Sequence, residues 1–114
     1  EELDLREKIS IQYRKNLKNC QSIPKDYVSS HALFSILLES DQQRNQTIQK
    51  LEQNDIPTAI YYKCPIHLMK AFSYLRYQKG DFPISEDLSK RILSLPMHPY
   101  LSEDDVELII NQIQ

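Results

Sequence analysis

Side chains able to do chemistry crowd into one nine-residue stretch, IYYKCPIHL at positions 60–68. It offers two phenols, a thiol and, three residues after the thiol, an imidazole. Cys64 and His67 stand at the spacing with which one helical turn presents two zinc ligands. A structural zinc site needs four ligands, and the remaining soft donors, Cys20, His31 and His98, are scattered singly along the chain. The same pair could open a thiol nucleophile and its base. That chemistry requires an orienting third group and an oxyanion hole, and the sequence identifies neither. Beside Pro65, Cys64 reads equally well as an inert thiol. A regular strand would send Tyr61 and Tyr62 to opposite faces, one toward the core and one toward solvent. His67, just past a strand end and a proline, lies where a loop holds a polar group at a cleft mouth. A satisfied structural histidine is the plainer reading of a lone imidazole.

Other chemistries find less support. A Schiff-base lysine needs a desolvated pocket, and none of Lys63, Lys70, Lys79 and Lys90 sits inside an apolar run. One glycine, Gly80, cannot build a phosphate-binding glycine loop. Catalytic, cofactor and metal residues are therefore expected to be absent from this chain taken alone. Lys and Arg number 14 against 16 Asp and Glu, so no cationic field exists to gather nucleic acid. No apolar run has the length of a bilayer span and no basic-then-apolar leader opens the chain, which makes the cytoplasm the expected compartment and a membrane partner unexpected. The two cysteines lie 44 residues apart and form no Cys-x-x-Cys pair, consistent with free thiols in a reducing compartment. Asn45-Gln46-Thr47 matches a glycosylation sequon that, without a leader, is read as chance. The two methionines, Met69 and Met97, are internal, so the chain is expected to be a fragment.

The 114 residues suit one domain with a real core. Leu5, Ile9, Tyr13 and Leu17 recur every fourth residue, predicting an amphipathic helix from Leu3 to about Asn19. After an irregular stretch containing Pro24, HALFSILLES reads as a strand covered on at least one face. Asp41 is expected to cap a helix that turns Ile48 and Leu51 inward and stops at Asn54-Asp55 before Pro57. TAIYY, rich in β-branched and aromatic residues, predicts a second strand. A short helical stretch spans about Leu68 to Tyr74, and Ser85, followed by Glu86 and Asp87, opens a helix that must stop before Pro96. The closing helix is the best specified, with Ser102 and Asp105 as a capping box and Val106, Ile109, Ile110 and Ile113 on one face. Helices alternating with a few strands indicate an α+β class, a small open sheet sandwiched with helices.

Two longer pieces carry a resemblance. NDIPTAIYYKCPIHLMKAF, and GDFPISEDLSKRILSLPMHPYLSEDDVELIINQI after it, resemble the C-terminal end of the DegT/StrS-type sugar-nucleotide aminotransferases, which depend on pyridoxal 5'-phosphate. CPIHL is similar to the family's proline-apolar-histidine segment, and ILSLPMHPYLSEDDV to its Ser-Leu-Pro-apolar-His-Pro ending. The resemblance implies that residues 1–114 form a single small C-terminal domain of the kind found in fold-type I aminotransferases, with residues 1–19 a lead-in helix and 20–114 the α+β body. It implies a catalytic large domain elsewhere that would hold the cofactor through a lysine and face its pyridine nitrogen with an aspartate. It assigns substrate binding to His67, near the sugar of a nucleotide-linked keto sugar, with Tyr61 and Tyr62 beside it. Many members carry a histidine where Tyr61 stands, and Lys63-Cys64 departs from a pair often apolar or proline. His31 falls near a histidine of the family's first small-domain strand.

The expected function is thus to shape the substrate cleft of an enzyme moving an amino group, commonly from glutamate, to a keto sugar nucleotide in cell-surface polysaccharide or deoxyamino-sugar biosynthesis. The complete form would be a homodimer, and the piece alone would be inactive. A stand-alone regulatory or interaction module that kept the fold without catalysis is the alternative, and a metal-binding domain through Cys64 and His67 a third. On either of the first two readings, apolar surface left uncovered would favour self-association.

Overall fold

The computed structural model describes residues 1–114. The chain forms α1 (Glu2–Asn16), β1 (Phe34–Leu37), α2 (Asp41–Glu52), two short 3-10 turns (Ile66–Leu68 and Lys70–Leu75), α3 (Pro83–Arg91), β2 (Ile92–Leu95) and α4 (Glu103–Ile113). Helices on a small open sheet make it α+β, as the sequence predicts.

β1 and β2 pair antiparallel, with Phe34 opposite Leu95 and Ile36 opposite Leu93. Because side chains alternate, these four share one face, and all four are buried. The other face carries Ser35 and Ser94, whose hydroxyls are 2.8 Å apart. The sheet is widened by single bridges, Cys20 to Ile36 on one edge and Ala59 to Ser94 on the other. On the apolar face lies one core, joining Ile9, Tyr13 and Leu17 to Leu51, Ile56, Val106, Ile109 and Ile110. The fourfold repeat of α1 and the isoleucine face of α4 are thereby paired with each other and with the sheet.

Several elements depart from expectation. TAIYY is not a strand: only Ala59 exchanges hydrogen bonds, with Ser94 at 3.2 and 2.8 Å, and the chain turns at Tyr61. β propensity there has only one partner residue to act on. Residues 92–95, read as the end of a helix, form β2 instead. The helix closes at Arg91 and the four residues after it pair with β1, a change that a short apolar run beside a helix does not signal because it carries no periodicity of its own. α3 starts at Pro83, whose missing N–H is harmless in a first turn, rather than at a Ser85 cap. α2 is capped by Ser40, which accepts the Gln43 N–H at 3.1 Å, while Asp41 pairs with Arg44 at 2.6 Å. Its left-handed stop is Asp55, at φ 56°.

The capping box of α4 is present in full: Ser102 Oγ accepts the Asp105 N–H at 3.1 Å and Asp105 Oδ2 accepts the Ser102 N–H at 3.1 Å. Ser102→Ala is expected to cost about 1 kcal/mol, read as a shift of the urea midpoint at unchanged slope.

Candidate functional site

His67 sits in the first 3-10 turn, which Pro65 initiates from an extended backbone. That turn directs the imidazole inward, where only 9% of the residue remains exposed. Nε2 lies 2.9 Å from Oε1 of Glu86, in the first turn of α3. The same oxygen accepts the Gly80 backbone N–H at 2.7 Å. Gly80 adopts φ 100°, a conformation that glycine supplies without strain, and so the KGDFP turn can aim its amide at the carboxylate. Just before that turn the Gln78 N–H donates to Asp81 within it, at 2.7 Å. The chain then delivers the Phe82 ring 4.8 Å from the imidazole, with Tyr77 edge-on to Phe82 at 5.0 Å.

The Gly80 amide, followed by the hydrogen bond from His67, holds the Glu86 carboxyl below the usual carboxylate range against the opposing effect of burial. The Gly80 N–H and the imidazole Nε2 thus meet on one carboxylate oxygen. No other hydrogen bond involves His67, and Nδ1 is not among the sealed, unpartnered polar atoms.

The two tyrosines lie apart from this cluster. Both are exposed, with ring centroids 5.6 Å apart and edge-to-face, so they do not divide between core and solvent as a regular strand would require. Together with Cys64 and Pro65 they form one side of a groove of about 270 Å³, with Leu88 and Ile92 on the other. His67 is not in its lining. Cys64 is a free thiol, and no group of three or more His, Cys, Asp or Glu side chains comes together around it or elsewhere.

His31 is buried away from this cluster's contacts, its Nε2 against Glu7 of α1. It stands at φ 46°, outside β1, beside a cleft lined by Arg14, Ser29 and Phe34. Sequence reasoning missed both carboxylate partners. Glu86 was legible only as an acid in the first turns of a helix, 19 residues from His67, and no periodicity links two such positions.

The model of the DegT/DnrJ/EryC1/StrS aminotransferase family matches residues 1–114. The chain belongs to that family. A DegT/DnrJ/EryC1/StrS aminotransferase from Brucella abortus is 39% identical in sequence and superposes with a TM-score of 0.82 over 98% of this chain and 30% of its own. The PLP form of a sugar aminotransferase, Spr1654 of Streptococcus pneumoniae, superposes with a TM-score of 0.86 at 25% identity, over 98% of this chain and 30% of that one. A UDP-2-acetamido-2-deoxy-3-oxo-D-glucuronate aminotransferase of Pseudomonas aeruginosa is 26% identical over 96% of this chain and 30% of its own length. The chain thus spans less than a third of these family members. No helix is long and apolar enough to cross a membrane.

Family membership raises the question of pyridoxal phosphate. Its attachment calls for a lysine lowered in pKa by desolvation, and every lysine of this chain is exposed. None of these lysines has the desolvated surroundings that attachment calls for.

Proposed function

We propose that the chain is the small C-terminal domain of a pyridoxal-phosphate-dependent aminotransferase that transfers an amino group to a nucleotide-linked keto sugar, working in the cytoplasm in polysaccharide or deoxyamino-sugar synthesis. The reading is supported by the family match along all 114 residues combined with lysines that are all exposed. A domain of this family without an attachment lysine contributes binding and shape, and the cofactor-bearing part of the same polypeptide contributes the chemistry. In that enzyme, a homodimer using a donor such as glutamate, His67 binds the sugar. Tyr61 and Tyr62 flank the substrate from the exposed groove. The oxo group in the name of the Pseudomonas relative's substrate supports a keto sugar nucleotide as acceptor.

Expression of the complete native gene tests this. The expected product is a longer, yellow protein whose cofactor band is bleached by glutamate and restored by a keto sugar nucleotide. A colourless product of this length would overturn it. In the active protein, His67→Ala is expected to raise KM for the sugar nucleotide on the order of tenfold, the net value of one hydrogen bond, with a smaller change in kcat.

A further inference from the structure

The cluster around Glu86 constrains what His67 can recognise. One carboxylate oxygen receives both the Gly80 N–H at 2.7 Å and His67 Nε2 at 2.9 Å. Both residues of the pair are buried. Phe82 packs against the imidazole and limits its rotation. A carboxylate that already accepts one amide can only accept again from the ring. Nε2 must therefore carry a hydrogen, and in the neutral ring Nδ1 is left as a lone-pair acceptor.

We propose that Glu86 is a positioning residue that occupies the Nε2–H of His67 and leaves Nδ1 as its only free ring nitrogen, so that the ring in its neutral form recognises a hydrogen-bond donor, a sugar hydroxyl. The tautomer follows from this chain's own geometry. The identity of the ligand rests on the function proposed above. The arrangement resembles the way a carboxylate fixes a metal-ligating histidine, with the outer partner choosing the nitrogen that faces the ligand.

The ring N–H can be observed directly. In uniformly ¹⁵N-labelled chain, His67 is assigned by loss of its signals in His67→Gln, and neutral His67 is expected to show a protonated Nε2 whose proton exchanges slowly with water. Glu86→Gln, which keeps an acceptor oxygen, should retain that signal. Glu86→Ala should lose it to rapid exchange while the backbone amide spectrum stays dispersed. A neutral His67 protonated on Nδ1 would overturn the proposal, as would an Nε2 proton equally protected in Glu86→Ala. Should Glu86→Ala unfold, the comparison of wild type with Glu86→Gln still decides, because loss of the protected proton in folded Glu86→Gln rejects the acceptor role.

The complete protein supplies the ligand arm, with a UDP-sugar as the probe. Glu86→Ala should raise its Kd and Glu86→Gln should restore it. Binding that strengthens on acidification, and ceases to do so in His67→Gln, would show an imidazolium on phosphate and overturn the hydroxyl assignment. A gene encoding no cofactor-bearing domain would defeat the proposed function and the hydroxyl assignment with it, while the ring N–H result would still decide the role of Glu86.

Discussion

Tyr13→Ala is expected to destabilise the domain by about 3–5 kcal/mol, the range for removing a buried aromatic ring. Tyr13 is wholly inaccessible and packs its ring 4.9 Å from that of Phe34. Its hydroxyl donates to the Pro96 carbonyl at 3.0 Å, joining α1 to the segment that leaves β2 for α4. Burial, reinforced by the nearby Asp105 carboxylate, pushes the phenol far above its ordinary pKa, so it stays protonated and able to donate throughout the physiological range. Tyr13→Phe separates the two contributions. It keeps the ring, loses one hydrogen bond and strands a carbonyl, for about 1 kcal/mol. Against a total stability of about 5–15 kcal/mol for ordinary domains, the alanine variant should be largely unfolded in moderate urea and the phenylalanine variant should not. Equal midpoints for the two would show that the ring is not the anchor. Because Pro96 continues β2, slackening at Tyr13 should also reach the sheet edge that Ala59 joins just before the tyrosine groove.

What could be read in advance follows from where the determining interactions lie. α1 and α4 were legible because their signals are local: a fourfold apolar repeat, and a serine and aspartate three residues apart. Most residues that the two patterns pick out are buried, Ile9, Tyr13, Leu17, Val106, Ile109 and Ile110 among them, while Leu5 and Ile113 at the outer ends are half-buried and α1 closes at Asn16, one residue before Leu17. β2 was not legible. ILSL follows α3 without a break, and only its pairing with β1, some 59 residues away at Ser35 and Ser94, makes it a strand. TAIYY shows the converse, strand-forming residues at an edge where a single bridge is available. The fold class survives both misreadings, because one strand lost at 58–62 and one gained at 92–95 leave a small sheet under the same helices. The candidate site was half visible. His67 stood out by its neighbours and by resemblance, whereas the Glu86 that binds it and the Gly80 amide that steadies Glu86 meet only after the 76–82 segment has folded back.

That cluster should also set part of the domain's response to acid. The Glu86 carboxyl lies below its ordinary value of 4.5 in the folded chain, held first by the Gly80 amide and then by His67. A group depressed on folding binds more protons in the unfolded state, so its stabilising contribution is complete above the unfolded pKa and is lost as pH falls through the folded one. Asp87, bonded by Arg91, and Asp105, bonded by Ser102, are depressed as well and add losses in the same direction. A falling melting temperature below about pH 4.5 therefore has three sources, and Glu86→Gln isolates one. Glutamine keeps an oxygen for Gly80 and for the imidazole but carries no charge to titrate. The variant should be less stable than wild type near neutrality, where the negative charge opposite His67 has been removed. As pH falls through 4.5 and below, its melting curve should decline less steeply, so that the two converge. Parallel curves across that range would mean that Glu86 titrates alike in folded and unfolded chains. The carboxylate would then not be held by the contacts described, and the fixed tautomer of His67 would lose its cause.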